Sequence, residues 1–208
     1  MIRRYLQQAP ASVTTLYALV AAFGAYFCMY AFRKPYTAAS FDDKAVLVIA
    51  QLIGYTLSKG VGILWIPQVK KEQRARYAMI LILIAELALV SFKFLPEDLR
   101  WISLLINGFP LGFIWGLVFS YLEGRKLTEV LAAGLTISFI LSSGMVKSVG
   151  SWLMIFLHLN PASMPWITGL IFLPVQFLFI WMLTQIPAPN PEDVQERTYR
   201  PVMKPGEM

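Results

Sequence analysis

The sequence is poor in the residues that build soluble enzymes. It holds one cysteine, Cys28, and one histidine, His158. A single cysteine excludes a disulfide framework and a cysteine-rich zinc site. A single histidine excludes a multi-histidine metal centre and leaves only one candidate base for nucleophilic catalysis. Charge is scarce too: 14% of residues are charged, against roughly 25% in an average soluble domain. No nucleophile–base pair, metal-ligand cluster or glycine-rich phosphate loop is visible, so an enzyme is not expected, nor a metal or cofactor.

Apolar length takes the place of that chemistry. Hydrophobic residues make up 57% of the chain and mean hydropathy is +0.60, which argues against both a soluble domain and a disordered one. Six apolar stretches stand out: Val13–Phe32, Ala45–Ile66, Tyr77–Phe94, Trp101–Leu122, Val130–Leu157 and Trp166–Ile186. Each reaches the roughly 20 residues a helix needs to cross a bilayer. Breakers separate them, among them Pro67, Pro96, Gly124 and Asn160-Pro161. The first run is long and lacks a clear small-residue cleavage site, so it is expected to be a span and not a signal peptide.

The expected fold is therefore all-α: a polytopic membrane protein with six transmembrane helices. Residues 1–12 form a short polar segment, 13–186 the bundle, and 187–208 a polar linker or tail opened by Pro187, Pro189 and Pro191. Twelve spans do not fit in 208 residues.

The net charge of +6 belongs to loops rather than to a nucleic-acid surface, and no nucleic-acid partner is expected. With both termini on one side, that side collects Arg3, Arg4, Lys70, Lys71, Arg74, Arg76, Arg125, Lys126, Arg197, Arg200 and Lys204. The other side collects Arg33, Lys34, Lys44, Lys93 and Arg100. Eleven against five puts both termini in the cytoplasm.

Charges inside spans are costly and mark function by default, at about 2.5–3.5 kcal/mol for Lys or Arg at the centre on insertion scales. Lys59, Lys147 and Glu86 lie within spans, and Arg33 lies at the edge of the first. Gln51, Tyr55, Lys59 and Gly62 share one helical face, as do Ser143, Lys147 and Ser151. Tyr26, Tyr30 and Arg33 fall at i, i+4 and i+7, and the mild segment from Lys34 to Phe41 lets the first helix run on past Arg33. Three cations from three helices around one cavity make an anion site. Arginine offers a planar fork to phosphate or carboxylate, lysine a point charge, and the tyrosines further donors.

Structural readings stand beside the functional ones. Arg33 sits at the outer interface, where Pro35, Asp42 and Asp43 favour a loop starting nearby, or Lys59 pairs with Glu86, or Lys147 is purely structural. Glu86 has no polar company in Ile84-Ala85-Glu86-Leu87 and reads as structural or lipid-facing, with proton coupling as the alternative. Gly108, Gly112 and Gly116 on the fourth span, and Gly134, Ser138 and Ser142 on the fifth, read as close helix packing, with a kink expected near Asn107 and Pro110.

Two segments carry a family resemblance. Tyr26-Phe27-Cys28-Met29-Tyr30-Ala31-Phe32-Arg33-Lys34 resembles the first helix of the organophosphate:phosphate antiporters, a branch of the major facilitator superfamily. Gly54-Tyr55-Thr56-Leu57-Ser58-Lys59 resembles their second helix. The resemblance implies one major-facilitator bundle equivalent to the N-terminal half. It makes Arg33 the ligand of a substrate phosphate, with Tyr26, Tyr30 and Lys34 around it, and Lys59 a cavity residue near Tyr55. The family's fifth-helix histidine has no counterpart; Ser142, Ser143 and Lys147 occupy its neighbourhood. Between the second and third helices, Gly62 to Arg76 keeps the superfamily's basic residues but lacks its aspartate and second glycine.

The function expected is a half-length secondary transporter for a small anion, such as an organic phosphate or carboxylate, in the bacterial inner membrane. Its partners are the lipid bilayer, the anionic substrate and a second six-helix bundle, from a C-terminal continuation or a second copy. The stretch from Arg197 to Met208 reads as the start of an inter-bundle linker. The alternatives are an anion-binding sensor on a transporter fold and a truncated, inactive half.

Overall fold

A proline sets each of the first two boundaries of the chain. In the computed structural model, which describes residues 2–123 and 128–188, helix α1 (Ile2–Gln8) stops just before Pro10. Helix α2 (Ala11–Met29) starts just after it. The Thr14 hydroxyl donates to the Leu6 carbonyl at 3.0 Å and ties the two together. Helix α1 was not expected from the polar N-terminal sequence; it buries only Leu6.

The second boundary corrects an expectation. Helix α2 does not continue past Arg33. It ends at Met29 and tightens into a 3-10 turn, Tyr30–Phe32, and a second 3-10 turn follows at Pro35–Ala38. Pro35 has no N–H to donate, and its ring disfavours helical geometry at Lys34.

Five long helices follow: α3 (Lys44–Trp65), α4 (Arg74–Phe94), α5 (Arg100–Phe119), α6 (Thr128–Phe156) and α7 (Met164–Thr184). Pro110 and Pro174 lie inside α5 and α7, each accommodated within one continuous element. Among the described residues there is no strand. The helices from α2 to α7 supply six segments long and apolar enough to span a membrane, matching the six expected stretches. Ile63, Leu64, Leu87 and Ile155 point outward, each with well over half its surface exposed. Such an apolar belt belongs in lipid, and the chain is an integral membrane protein. Arg125, Lys126 and the tail from 189, with Arg197, Arg200 and Lys204, lie outside the described residues.

Helix α5 packs against α3 and α4; α2 packs against α6 and α7; contacts of α4 with α7 and of α2 with α5 join the two groups. Small residues set the closest approach, as expected. A Cβ on Gly54 would collide with the Leu105 carbonyl, and one on Gly108 with the Gln51 carbonyl. A Cβ on Gly112 would strike the Ser58 side chain and crowd the Tyr55 carbonyl. The backbones of α3 and α5 therefore touch directly. On α6, Gly134 faces Leu19, and the Ser138 hydroxyl donates to the Phe23 carbonyl at 2.9 Å.

Gly108→Leu must push two backbones apart and is expected to cost about 3 kcal/mol or more. Gly116→Ala meets only the flexible end of Ile66 and should be mild. Thermal unfolding in detergent, followed by circular dichroism, separates the two. Equal midpoints for wild type and Gly108→Leu would contradict the direct contact.

Candidate functional site

The break after α2 leaves backbone carbonyls in the interior. Ala31 and Phe32 have no exposed surface, and a buried carbonyl without a partner costs about 1–3 kcal/mol. Two carboxamides from other helices meet this need. Asn107 on α5 donates through Nδ2 to the Phe32 carbonyl at 3.0 Å and to the Ala85 carbonyl on α4 at 2.9 Å. Gln51 on α3 donates through Nε2 to the Arg33 carbonyl at 3.0 Å and to Asn107 Oδ1 at 2.7 Å. The Tyr36 hydroxyl donates to Gln51 Oε1 at 3.2 Å. Both N–H bonds and the oxygen of each amide are thereby used.

This frame presents Arg33 to α3. Its guanidinium carbon lies 3.8 Å from the centre of the Tyr55 ring and 5.7 Å from that of Tyr30. The ammonium of Lys59, one turn further along α3, lies 4.8 Å from the same Tyr55 ring. The two cations are therefore no further apart than the sum of their distances to that ring. A guanidinium close over an aromatic ring gains cation–π attraction and keeps its in-plane donors free. Arg33 Nε is buried and has no hydrogen-bond partner.

The phenols close one side. Tyr26 and Tyr30 meet edge to face at 5.7 Å, and the Tyr26 and Tyr55 hydroxyls are 3.4 Å apart. That is long beside the roughly 2.7–2.8 Å usual for O–H···O, so each hydroxyl keeps capacity for another partner.

Lys34 and Lys147 form the second part of the site. Burial holds the Lys34 ammonium below its ordinary pKa, and the charges of Arg33 and Lys147 lower it further. Lys147 thus reaches the cluster electrostatically, from α6, which packs against the Pro35–Ala38 turn. Its own side chain is exposed, as is that of Lys59. No carboxylate forms an ion pair with Arg33, Lys34, Lys59 or Lys147 among the described residues.

The structure thus gathers Arg33, Lys59, Tyr26, Tyr30 and Tyr55 directly, and links Lys34 and Lys147 to them through charge. The alternative Lys59–Glu86 pair does not form. Glu86 is not lipid-facing: it is buried on α4 against Gly169 of α7. From the sequence, Asn107 reads only as part of a kink, and Gln51 only as a member of the Lys59 face. The available signal was a carboxamide in the middle of an otherwise apolar span, where an unpaired amide is expensive.

Fold and site together define a six-span membrane protein with a cluster of cations that have no carboxylate partner among the described residues, beside the buried end of α2. Residues 26–207 match a family described as "Family of unknown function (DUF5690)", and the chain belongs to that family. No curated protein and no solved structure matches it.

Asn107→Leu would strand the Phe32 and Ala85 carbonyls and one Gln51 N–H, and is expected to cost about 3 kcal/mol or more; denaturant titration in detergent measures it, and wild-type stability would contradict the frame. The lowered Lys34 pKa gives a second expectation. A depressed lysine leaves the charged form disfavoured in the folded state, so this penalty is full at low pH and is lifted as pH rises through the folded and then the unfolded pKa. Lys147→Met removes one cause of the depression and should slow labelling of Lys34 by an amine-reactive reagent at mildly alkaline pH. Unchanged labelling would show that Lys147 does not act on Lys34.

Proposed function

We propose that the chain is one bundle of a secondary transporter of major-facilitator type for a small anion, an organic phosphate or carboxylate. The observation that carries this reading is the pair Arg33 and Lys59 on one tyrosine ring, with no carboxylate among the described residues to neutralise either. Like charges held this close repel, and an anion received between them relieves the repulsion. Arg33 grips with its planar fork, Lys59 adds a point charge, and Tyr26, Tyr30 and Tyr55 supply further donors. Lys34 and Lys147 extend the positive field along the approach.

The packing supports the superfamily arrangement. Exchange of α2 with α5, α3 with α6 and α4 with α7 carries the α3–α5 and α4–α5 contacts onto α6–α2 and α7–α2, and leaves α4–α7 unchanged. The α6–α7 contact has no counterpart of similar extent between α3 and α4, so the packing follows an inverted three-plus-three exchange only in part. In this reading the binding residues lie where α2 is interrupted, and broken helices build such sites in transporters. Transport by rocking needs a second bundle, from a further segment or a second copy. Both termini face the cytoplasm of a bacterial inner membrane, in keeping with the basic residues on that side.

Uptake of labelled organic phosphates into proteoliposomes tests the reading. Arg33→Ala and Lys59→Ala should each weaken apparent affinity about 10- to 100-fold, the size of a lost charge-assisted hydrogen bond. Unchanged uptake in both variants contradicts the assigned site. Saturable phosphate binding without flux would make the same site that of a sensor.

A further inference from the structure

A second cationic feature lies at the end of the bundle where α3 and α5 finish and α4 begins. There α3, the start of α4 and the end of α5 enclose an open groove of about 610 Å³. That volume is in the range of about 300–1,000 Å³ typical of small-molecule sites. Its walls are apolar, with Ile63 and Ile66 on one side and Trp115 and Phe119 on the other. Trp115 and Phe119 stack at 4.9 Å with nearly parallel rings, which gives that wall a flat face.

The polar lining is concentrated at two levels. Lys59 lies at the deep level, six residues before the end of α3, or about 9 Å along the helix. Arg74 lies at the shallow level, at the first position of α4. Its Nη1 donates to the Ser120 carbonyl at 2.8 Å, which fixes the guanidinium at the groove mouth, while its Nε is buried and has no partner. Among the described residues Glu123 is the one carboxylate in the lining, and it is exposed. Two cations, one with a free buried donor, outweigh it.

We propose that this groove binds an anionic phospholipid, with the phosphate against Arg74 and an acyl chain along the Ile63, Ile66, Trp115 and Phe119 walls. A free phosphate answers the charge of Arg74 but leaves the apolar walls uncovered. A zwitterionic lipid covers the walls but adds a cation beside Arg74. An anionic lipid matches both, and basic pockets between spans on one face of a membrane protein are suited to such headgroups. Lys59 borders this groove as well as Tyr55, so the lipid headgroup bears on the electrostatics of the candidate anion site. The proposal stands without the transport reading, because its test reads lipid and not flux.

The experiment uses the full chain in nanodiscs of equimolar phosphatidylglycerol and phosphatidylcholine, with retained lipid quantified by mass spectrometry after detergent extraction. Wild type should keep phosphatidylglycerol over phosphatidylcholine, and Arg74→Gln should lower that preference about fivefold, the value of one cation near the membrane surface. A second readout is needed because Arg74 also holds Ser120. Phosphatidylglycerol with brominated chains should quench wild-type fluorescence more than brominated phosphatidylcholine does, and Trp115→Phe should abolish the difference. Equal retention of the two lipids by wild type overturns the proposal, as does equal quenching by the two. Unchanged preference in a folded Arg74→Gln protein also overturns it. Displacement of the lipid by millimolar glycerol phosphate would show a site for free phosphate and overturn the lipid assignment.

Discussion

The bundle is organised around an interior backbone that cannot finish its own hydrogen bonds. Pro35 ends the helical path of α2 while the chain is still buried, and the carbonyls of Phe32 and Arg33 are left without helical donors. In a bilayer no water is at hand to satisfy them. Gln51 and Asn107 do so, and bond to each other at 2.7 Å while doing it. Because Asn107 also holds the Ala85 carbonyl, two side chains connect the end of α2 with α3, α4 and α5. The glycines at 54, 108 and 112 serve the same end: they bring α3 and α5 close enough for the two amides to meet.

The position of Arg33 follows from that frame. Its carbonyl is held by Gln51, and its guanidinium lies over the tyrosine one helical turn further along α3. An arginine fixed by its backbone and stacked on an aromatic ring loses less freedom on meeting a ligand than a free one. Lys59 is less constrained, exposed on a flexible stem, and able to adjust to anions of different size. In the proposed transporter, a rigid fork and a mobile point charge would let one site both bind and release its ligand. Glu86 shows the opposite arrangement: it is buried away from the cations, and neither carboxyl oxygen has a partner.

Much of this was legible in the sequence, for reasons that are physical. Six apolar runs of spanning length leave one class of fold, and the glycine ladder of the fourth span announces a close neighbour. The cations stand out because charge is rare in such segments. What was not legible depends on tertiary pairing. A smooth helical period carried Tyr26, Tyr30 and Arg33 onto one face, and the mild segment from Lys34 to Phe41 outweighed Pro35, which is where the helical path stops. The pairing of Gln51 with Asn107 spans 56 residues and involves two helices that periodicity treats separately. Glu86 looked isolated because its neighbours in the chain are apolar, whereas its position is set by the space that Gly169 leaves on another helix.

The central claim is that the stacked guanidinium of Arg33 is an anion receptor and not a structural ornament. Its Nε–H is the atom to watch. In protein labelled with nitrogen-15 arginine, the Arg33 Nε–H resonance can be identified by its loss in Arg33→Lys and followed as inorganic phosphate or glycerol phosphate is added. The account predicts a saturable shift of that resonance, weakened in Lys59→Ala. A resonance that stays in place while phosphate rises to saturating levels would contradict it.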